Sequence, residues 1–196
     1  NDINAVLRSG ADKVNINTAA ISNPNFIYEA SKEFGSSTIT VSIEAIRNED
    51  GRFLAYTDNG REYTGIDVTE WVKEVQDLGA GEIILTSVDR EGTGTGFDLE
   101  LIKSVSKLIH VPLIIHGGAS SPENISKAIL ETNADGIAVS SILHYRLIRD
   151  NTFIYNSKNE GNTEFLASKQ IFSKISSCTI NDIKQNMYEK TINVRY

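Results

Sequence analysis

The sequence predicts an α/β fold in which parallel strands and helices alternate as the βα units of a (βα)8 barrel. Short segments of apolar and β-branched residues recur along the chain, and each is followed by a segment with helical periodicity. Glycines and polar residues follow nearly every predicted strand, whereas a doubly wound sheet gathers them at one switch point. A helix-ending phrase also repeats, as Gly10-Ala11-Asp12 and as Gly79-Ala80-Gly81. We therefore favour the barrel over the doubly wound sheet.

Five segments have the composition of buried parallel strands, because they are short, apolar and rich in Val, Ile and Thr. They are residues 13–17, 38–44, 82–86, 111–116 and 135–139. A hairpin is predicted between residues 53–57 and 61–64, since the sequence Asp58-Asn59-Gly60 between them is a strong signal for a tight turn.

Helices are predicted between these strands, where apolar residues recur with helical spacing. Their expected ranges are 24–34, 68–78, 99–108 and 122–131, followed by a short helix from Ser140 and a last helix at 180–189. Gly35 and Gly79 end two of them, Pro122 suits the first turn of another, and Thr179 is placed to cap the last.

The composition is that of an ordinary globular protein and limits the choice of partners. Its 196 residues, 40% hydrophobic and 23% charged, suffice for one domain with a substantial core. A net charge of −7 without basic runs argues against nucleic-acid binding, and no apolar run is long enough to span a membrane. A single cysteine, Cys178, excludes an internal disulfide framework and a cysteine-based zinc site, which fits a cytoplasmic location. We predict no metal site and no cofactor.

We predict one domain over residues 1–196, in which the segment at about 150–178 departs from the strand and helix alternation. Residues 156–162 within it form a polar, glycine-containing loop. The chain begins without methionine, in what is expected to be the end of a helix running into the first strand. It is therefore expected to be part of a longer protein.

The loop after the strand at 82–86 has the densest set of candidate ligand-binding residues. Asp89, Arg90 and Glu91 are followed by Gly92 and two further glycines before the next helix begins. Loops at the carboxyl ends of barrel strands commonly hold ligands. Asp89 and Arg90 are expected to form a local ion pair, and Gly92 adds a strip of backbone that could contact an anion.

A phosphate site is predicted where the last two strands end. His116-Gly117-Gly118 closes one strand, and Ser140-Ser141 opens the helix after the next. Free backbone amides and the helix dipole favour an anion at such a place, and glycine lets the backbone approach it closely. Alone, the two glycines are equally typical of a tight turn, but the pair of serines one βα unit later favours phosphate binding.

Other strand ends carry residues with two interpretations each. Asn17-Thr18 could supply a second set of phosphate donors or, equally, a helix cap. Glu44 and Glu91 could act as general acid and base across the opening of a barrel, because burial and mutual repulsion push the pKa values of two such carboxylates apart. The alternative is that each is a surface acid, which is the commoner case for a single glutamate. His116 is a candidate for substrate contact, although a lone histidine is more often a packed residue than a catalyst.

Three stretches of the sequence form long and specific motifs. They are Gly10-Ala11-Asp12-Lys13-Val14-Asn15-Ile16-Asn17-Thr18-Ala19-Ala20, Thr86-Ser87-Val88-Asp89-Arg90-Glu91-Gly92-Thr93 and Gly117-Gly118-Ala119. With the ending at 192–195, they resemble the cyclase subunit of imidazole glycerol phosphate synthase, over residues 1 to about 148 and again about 179–195. The resemblance implies a (βα)8 barrel of which this chain lacks the first three strands, with the segment near 150–178 as an insertion.

In that family, ammonia from a separate glutaminase subunit passes through the barrel and reacts with a ribulosyl aminoimidazole carboxamide nucleotide that carries two phosphates. The products are imidazole glycerol phosphate and an aminoimidazole carboxamide ribonucleotide. The resemblance implies that Asn17 and Thr18 bind one phosphate and that Gly92, Gly118, Ser140 and Ser141 bind the other. It also implies that Glu44 occupies the position of the catalytic acid.

The sequence departs from the family pattern at four positions, which lie at three of these strand ends. Glu44 and Glu91 stand where the family has aspartate, Ile46 stands where it usually has lysine, and His116 replaces a serine. The family's partner aspartate belongs to a part of the barrel that this chain does not contain. Three hypotheses follow, in order of preference: the histidine-pathway cyclase, a paralogue acting with an amidotransferase to amidinate surface-polysaccharide sugars, and a non-catalytic phosphate-binding scaffold.

Overall fold

The computed structural model of the protein describes residues 2–150 and 174–195. The helices of this part are α1 (Asp2–Arg8), α2 (Thr18–Ser22), α3 (Asn25–Phe34), α4 (Val68–Asp77), α5 (Leu99–Ser106), α6 (Pro122–Glu131), α7 (Ser141–Asp150) and α8 (Ile180–Glu189). The strands are β1 (Val14–Ile16), β2 (Ile39–Arg47), β3 (Phe53–Thr57), β4 (Glu62–Asp67), β5 (Glu82–Ser87), β6 (Leu113–His116) and β7 (Gly136–Ile137).

The parallel strands follow one another across the sheet in the order β1, β2, β5, β6 and β7, which is also their order in the chain. Stepwise pairing of this kind is what a (βα)8 barrel requires, whereas a doubly wound sheet reverses its order at a switch point. The α/β fold class and the barrel order of the strands are therefore confirmed.

The longest strand, β2, has two different neighbours along one of its edges. β1 pairs in parallel with residues 39–41, and β3 pairs antiparallel with residues 44–47. β5 occupies the opposite edge. The hairpin β3–β4 therefore stands directly beyond the carboxyl end of β1, and this is why β2 runs three residues further than the predicted strand at 38–44.

The two faces of β2 differ in chemistry because its side chains alternate across the sheet. Val41, Ile43 and Ala45 are fully buried and belong to the apolar core that the outer helices cover. Trp71 of α4 is among the largest buried side chains of that core. Thr40, Ser42 and Glu44 occupy the other face, which in a barrel is turned toward the lumen.

Polar contacts join the strands on this inner face. Lys13 pairs with Glu82 at 2.7 Å, and Thr40 donates a hydrogen bond of 3.0 Å to the same carboxylate. One level nearer the carboxyl ends, Asn15 and Ser42 exchange hydrogen bonds of 2.7 and 3.0 Å. The interior of the sheet is thus lined by hydrogen-bonding groups below the strand ends.

Helices begin where the sequence predicts when a side chain caps the first turn. Helix α6 covers the predicted range, and the Ser121 side chain accepts a hydrogen bond from the Asn124 N–H. Helix α8 also covers its predicted range, with Thr179 and Asp182 forming a reciprocal capping box. Helix α7 begins one residue after Ser140 and is longer than the short helix predicted there.

Most of the predicted insertion at about 150–178 falls on residues 151–173, which lie outside the described residues. Residues 174–178 follow without helix or strand and lead into α8. Among the described helices, none combines the length and the apolar character that crossing a membrane requires.

The assigned core can be tested by making the same substitution, Leu to Ala, at a buried and at an exposed position. Leu113→Ala in β6 removes a fully buried side chain, so we expect the free energy of unfolding of the intact protein to fall by about 2–5 kcal/mol. Leu130→Ala in α6 truncates a side chain that is 60% exposed, and we expect a change within about 0.5 kcal/mol. Urea denaturation measures both, and equal losses would contradict the assigned core.

Candidate active site

A cavity of about 180 Å³ opens where β5, β6 and β7 end. Its lining combines three segments predicted to bind phosphate or substrate. The lining residues are Glu91, Gly92, Gly94, His116, Gly117, Gly118, Ala119, Ala138, Val139, Ser140, Ser141 and Ile175. The structure thus brings seven of the predicted site residues, from Glu91 to Ser141, around one cavity of a size suited to a phosphate group.

Two glycines of the lining occupy positions that tolerate no side chain. Gly117 and Gly118 have φ values of +97° and +98°. A Cβ on Gly117 would lie 2.5 Å from the carbonyl oxygen of Ser87, and one on Gly118 would lie 2.3 Å from that of Gly96. The Gly96 N–H also donates a 2.8 Å hydrogen bond to the Gly118 carbonyl, so the two loops are joined through their backbones.

Helix α7 starts at the edge of the same cavity. Its first residue is Ser141, and the carbonyl of Ser140 accepts hydrogen bonds from the N–H groups of Leu143 and His144. The first amides of a helix lack partners within that helix and carry partial positive charge. Helix amides of this kind and glycine backbone are groups with which proteins commonly bind anions.

Glu44 lies at the carboxyl end of the predicted strand and is half-buried. Its Oε1 accepts a 2.9 Å hydrogen bond from Asn17 Nδ2, and its Oε2 accepts a 2.8 Å hydrogen bond from the Gly60 N–H. The carboxylate is thus held between the end of β1 and the tip of the hairpin. The contribution of Gly60 was missed in the sequence, where it signalled only a turn.

Asn17 and Thr18 lie at the start of α2, beside Glu44 rather than in the cavity. Asn17 precedes the helix, but its side chain makes no capping hydrogen bond and binds Glu44 instead. Asn17 thus occupies the N-cap position of α2, as one of its two interpretations predicted, but it does not cap the helix through its side chain. Its Oδ1 atom is buried without a hydrogen-bond partner, while Thr18 is exposed as the first residue of α2.

His116 closes β6 in a row that crosses three strands. Glu44 pairs in register with Thr86, and Thr86 pairs with His116. The Thr86 Oγ1 and His116 Nδ1 atoms are 3.3 Å apart, so the threonine hydroxyl orients the imidazole. Thr86 begins one of the sequence motifs, but no role was predicted for it, because its register opposite Glu44 and His116 is visible only in the structure.

Charged side chains near the strand ends also fix the loops. Asp89 accepts a 2.8 Å hydrogen bond from the backbone N–H of Arg47, and Arg90 donates to Thr95 Oγ1 at 3.2 Å. The expected local pair of Asp89 with Arg90 is thus replaced by contacts to other segments. Nowhere in residues 2–150 and 174–195 do three His, Cys, Asp or Glu side chains gather as a metal site would need.

Cys178 lies in the core beneath α7 and takes no part in the cavity. Its backbone N–H donates to the carbonyl of Ile142, and the side chain is buried. Burial, supported by the nearby carboxylates of Asp182 and Glu123, raises the pKa of the thiol to about 11. At neutral pH the sulfur is therefore almost entirely protonated and unsuited to act as a nucleophile.

Sequence comparison connects this geometry with known proteins. A family model described as histidine biosynthesis protein matches residues 1–149. Imidazole glycerol phosphate synthase subunit HisF of Alkaliphilus metalliredigens is 42% identical over 144 residues, which are 74% of this chain and 57% of the relative. The HisF subunit of Lactococcus lactis subsp. cremoris strain MG1363 is 46% identical over 146 residues, or 74% and 56% of the two chains.

A third relative matches a similar share of the chain. The HisF subunit of Methanocaldococcus jannaschii is 45% identical over 164 residues, which cover 74% of this chain and 60% of the relative. The chain thus spans little more than half the length of the relatives it matches.

The raised pKa of Cys178 predicts low thiol reactivity in the folded protein. At pH 8 we expect a disulfide exchange reagent to label the native thiol at least about 100-fold more slowly than the thiol in urea, because burial limits both access and ionisation. Absorbance of the released thiolate measures both rates. Labelling of the native protein at the unfolded rate would contradict the buried position.

Proposed function

The chain belongs to the histidine biosynthesis protein family, and from that premise we propose that the intact protein is the cyclase subunit of an imidazole glycerol phosphate synthase. It would use ammonia to convert a bis-phosphorylated ribulosyl aminoimidazole carboxamide nucleotide into imidazole glycerol phosphate and an aminoimidazole carboxamide ribonucleotide. The observation that carries this proposal is the gathering of a glycine-lined anion cavity and a held carboxylate at adjoining strand ends.

The two phosphates of such a substrate would occupy opposite sides of the strand ends. One would lie in the cavity against backbone amides and hydroxyls, and the proposed ligands are Gly92, Gly117, Gly118, Ser140 and Ser141. The other would lie near Asn17 and Thr18 at the start of α2. Between the two sides runs the row of Glu44, Thr86 and His116, over which the reacting part of the substrate would lie.

Glu44 is the proposed catalytic residue of this row. A carboxylate can act as a general base that takes a proton from the attacking ammonia nitrogen. It can then act as a general acid that returns the proton to the nitrogen that leaves when the carbon–nitrogen bond breaks. Asn17 and Gly60 hold one oxygen each, and this fixes the orientation of the carboxylate. Glu91 and His116, on the cavity side, are the proposed contacts to the rest of the substrate.

A glutaminase subunit is the proposed partner and ammonia source, since the relatives are named as subunits of a synthase. The inner face of the sheet supports this part of the proposal. The Lys13–Glu82 pair and the Asn15–Ser42 pair form successive polar levels on the way to Glu44. Ammonia entering at the amino ends of the strands would meet hydrogen-bonding groups along this face. We place the reaction in the cytoplasm.

Turnover with free ammonia tests the proposal most directly. The intact protein is mixed with the ribulosyl aminoimidazole carboxamide nucleotide and an ammonium salt, so that the barrel's own chemistry is observed without a glutaminase. We expect imidazole glycerol phosphate to form, as measured by chromatography. A folded protein that binds phosphate but makes no product would overturn the cyclase assignment and favour the sugar-amidinating relative.

Substitution of Glu44 separates catalysis from scaffolding. Glu44→Gln preserves the shape of the side chain but removes its ability to exchange a proton, so we expect kcat to fall by about 10²- to 10⁴-fold. Glu49→Gln, on an exposed residue just beyond β2, is the matched control and is expected to leave kcat unchanged. Full turnover by Glu44→Gln would show that another group moves the proton.

A further inference from the structure

We propose that His116 supplies a pH-dependent positive charge to the anion cavity, so that the site binds a doubly charged oxyanion more tightly at pH 6 than at pH 8.5. This inference rests on the phosphate-binding part of the proposed function. It assigns to the imidazole a role that the other groups of the cavity cannot fill, because they contribute dipoles or negative charge.

The position of the ring follows from its one described hydrogen bond. Thr86 Oγ1 lies 3.3 Å from Nδ1, on the side of the row that leads to Glu44. His116 also lines the cavity together with Gly117, Gly118 and the serines at the start of α7. Since Nδ1 is engaged by the threonine, Nε2 is the ring nitrogen available to an anion in the cavity.

The charged side chains around the cavity leave the imidazole as the group that could attract an anion by its charge. Among the described lining residues, Glu91 carries negative charge and His116 alone can carry positive charge. Arg90 packs its Cβ near Gly118, but its guanidinium donates to Thr95. Glu44 lies two strands away in the same row, beyond Thr86.

Protonation changes what the ring can offer to the ligand. A neutral imidazole whose Nδ1 accepts from the Thr86 hydroxyl donates one neutral hydrogen bond through Nε2. The protonated ring gives a charge-assisted hydrogen bond, which is roughly twice as strong. Imidazoles as a class change charge between about pH 5 and 8, so the strengthening occurs within the range in which the protein can be assayed.

Sulfate is the probe that isolates the titration of the protein, because it stays doubly charged throughout this range whereas a phosphate monoester itself gains a proton near about pH 6. Calorimetric titration of the intact protein with sulfate is carried out from pH 6 to 8.5 at constant ionic strength. We expect the Kd to rise about tenfold over this range, as loss of one charge-assisted contact implies.

Three variants assign that dependence to His116. His116→Gln keeps a donor near the position of Nε2 without a charge, so its Kd should be weak and constant within about twofold. His116→Lys keeps a positive charge at all of these pH values, so its Kd should be tight and equally constant. His110→Gln is the matched control on an exposed histidine before β6, and it should behave as the wild type.

Every outcome of the titration decides the inference. A pH dependence that survives in His116→Gln, a flat wild-type profile, or no sulfate binding at any pH would overturn it. Turnover of the nucleotide is measured separately, so the two proposals fail independently. If product forms but the Kd for sulfate does not change with pH, only the proposed role of His116 is overturned. If the Kd changes with pH as expected but no product forms, only the cyclase assignment is overturned.

Discussion

The arrangement of the site depends on the backbone hydrogen bonds along one edge of β2. The first part of that edge binds β1 in parallel, and the last part binds β3 in the antiparallel sense. Because both neighbours use the same edge, the hairpin must continue where β1 ends. The side chain that points inward at this junction is Glu44, so the strand pairing alone brings its carboxylate between the start of α2 and the hairpin tip.

The cavity at the ends of β5, β6 and β7 depends on other interactions than those that hold Glu44. Its walls are built from close backbone approach, which glycine permits at the end of β6, and from the amides at the start of α7. Such groups bind an anion through dipoles and place no permanent charge in the site. One side of the strand ends thus offers the Glu44 carboxylate, while the cavity on the other side offers mainly backbone dipoles, with Glu91 and His116 as its ionisable groups.

The sequence predicted the elements well where local chemistry determines them. Helix α6 and helix α8 begin at the predicted residues because Ser121 and Thr179 cap their first turns with their own side chains. The end of β2 was predicted three residues too early, since its continuation depends on a partner strand and not on its own composition. The alternation of strands and helices likewise follows from the hydrophobic periodicity of each segment. The barrel order of the strands was predicted from a different signal, the polar residues that follow nearly every strand.

The structure brings together some of the predicted site residues but not all of them. The glycines and serines of the cavity were found because they share one chemistry at successive strand ends. The partner of Asn17 was not found, because a cap uses its side-chain oxygen as an acceptor, whereas here the Nδ2 group donates to Glu44 of a strand distant in the sequence. Long-range contacts between loops, such as that of Asp89 with Arg47, have no signature in a single sequence.

The two hydrogen bonds that hold Glu44 differ in how they can be lost. The bond from Asn17 comes from a side chain and disappears with almost any replacement of that residue. The bond from Gly60 comes from the peptide backbone, so it is carried by the fold of the turn and not by the identity of a side chain. A scan of side-chain substitutions would therefore detect the hydrogen bond from Asn17 but not the one from the Gly60 backbone. An ester in place of the Asn59–Gly60 amide is the chemical change that reveals the other half.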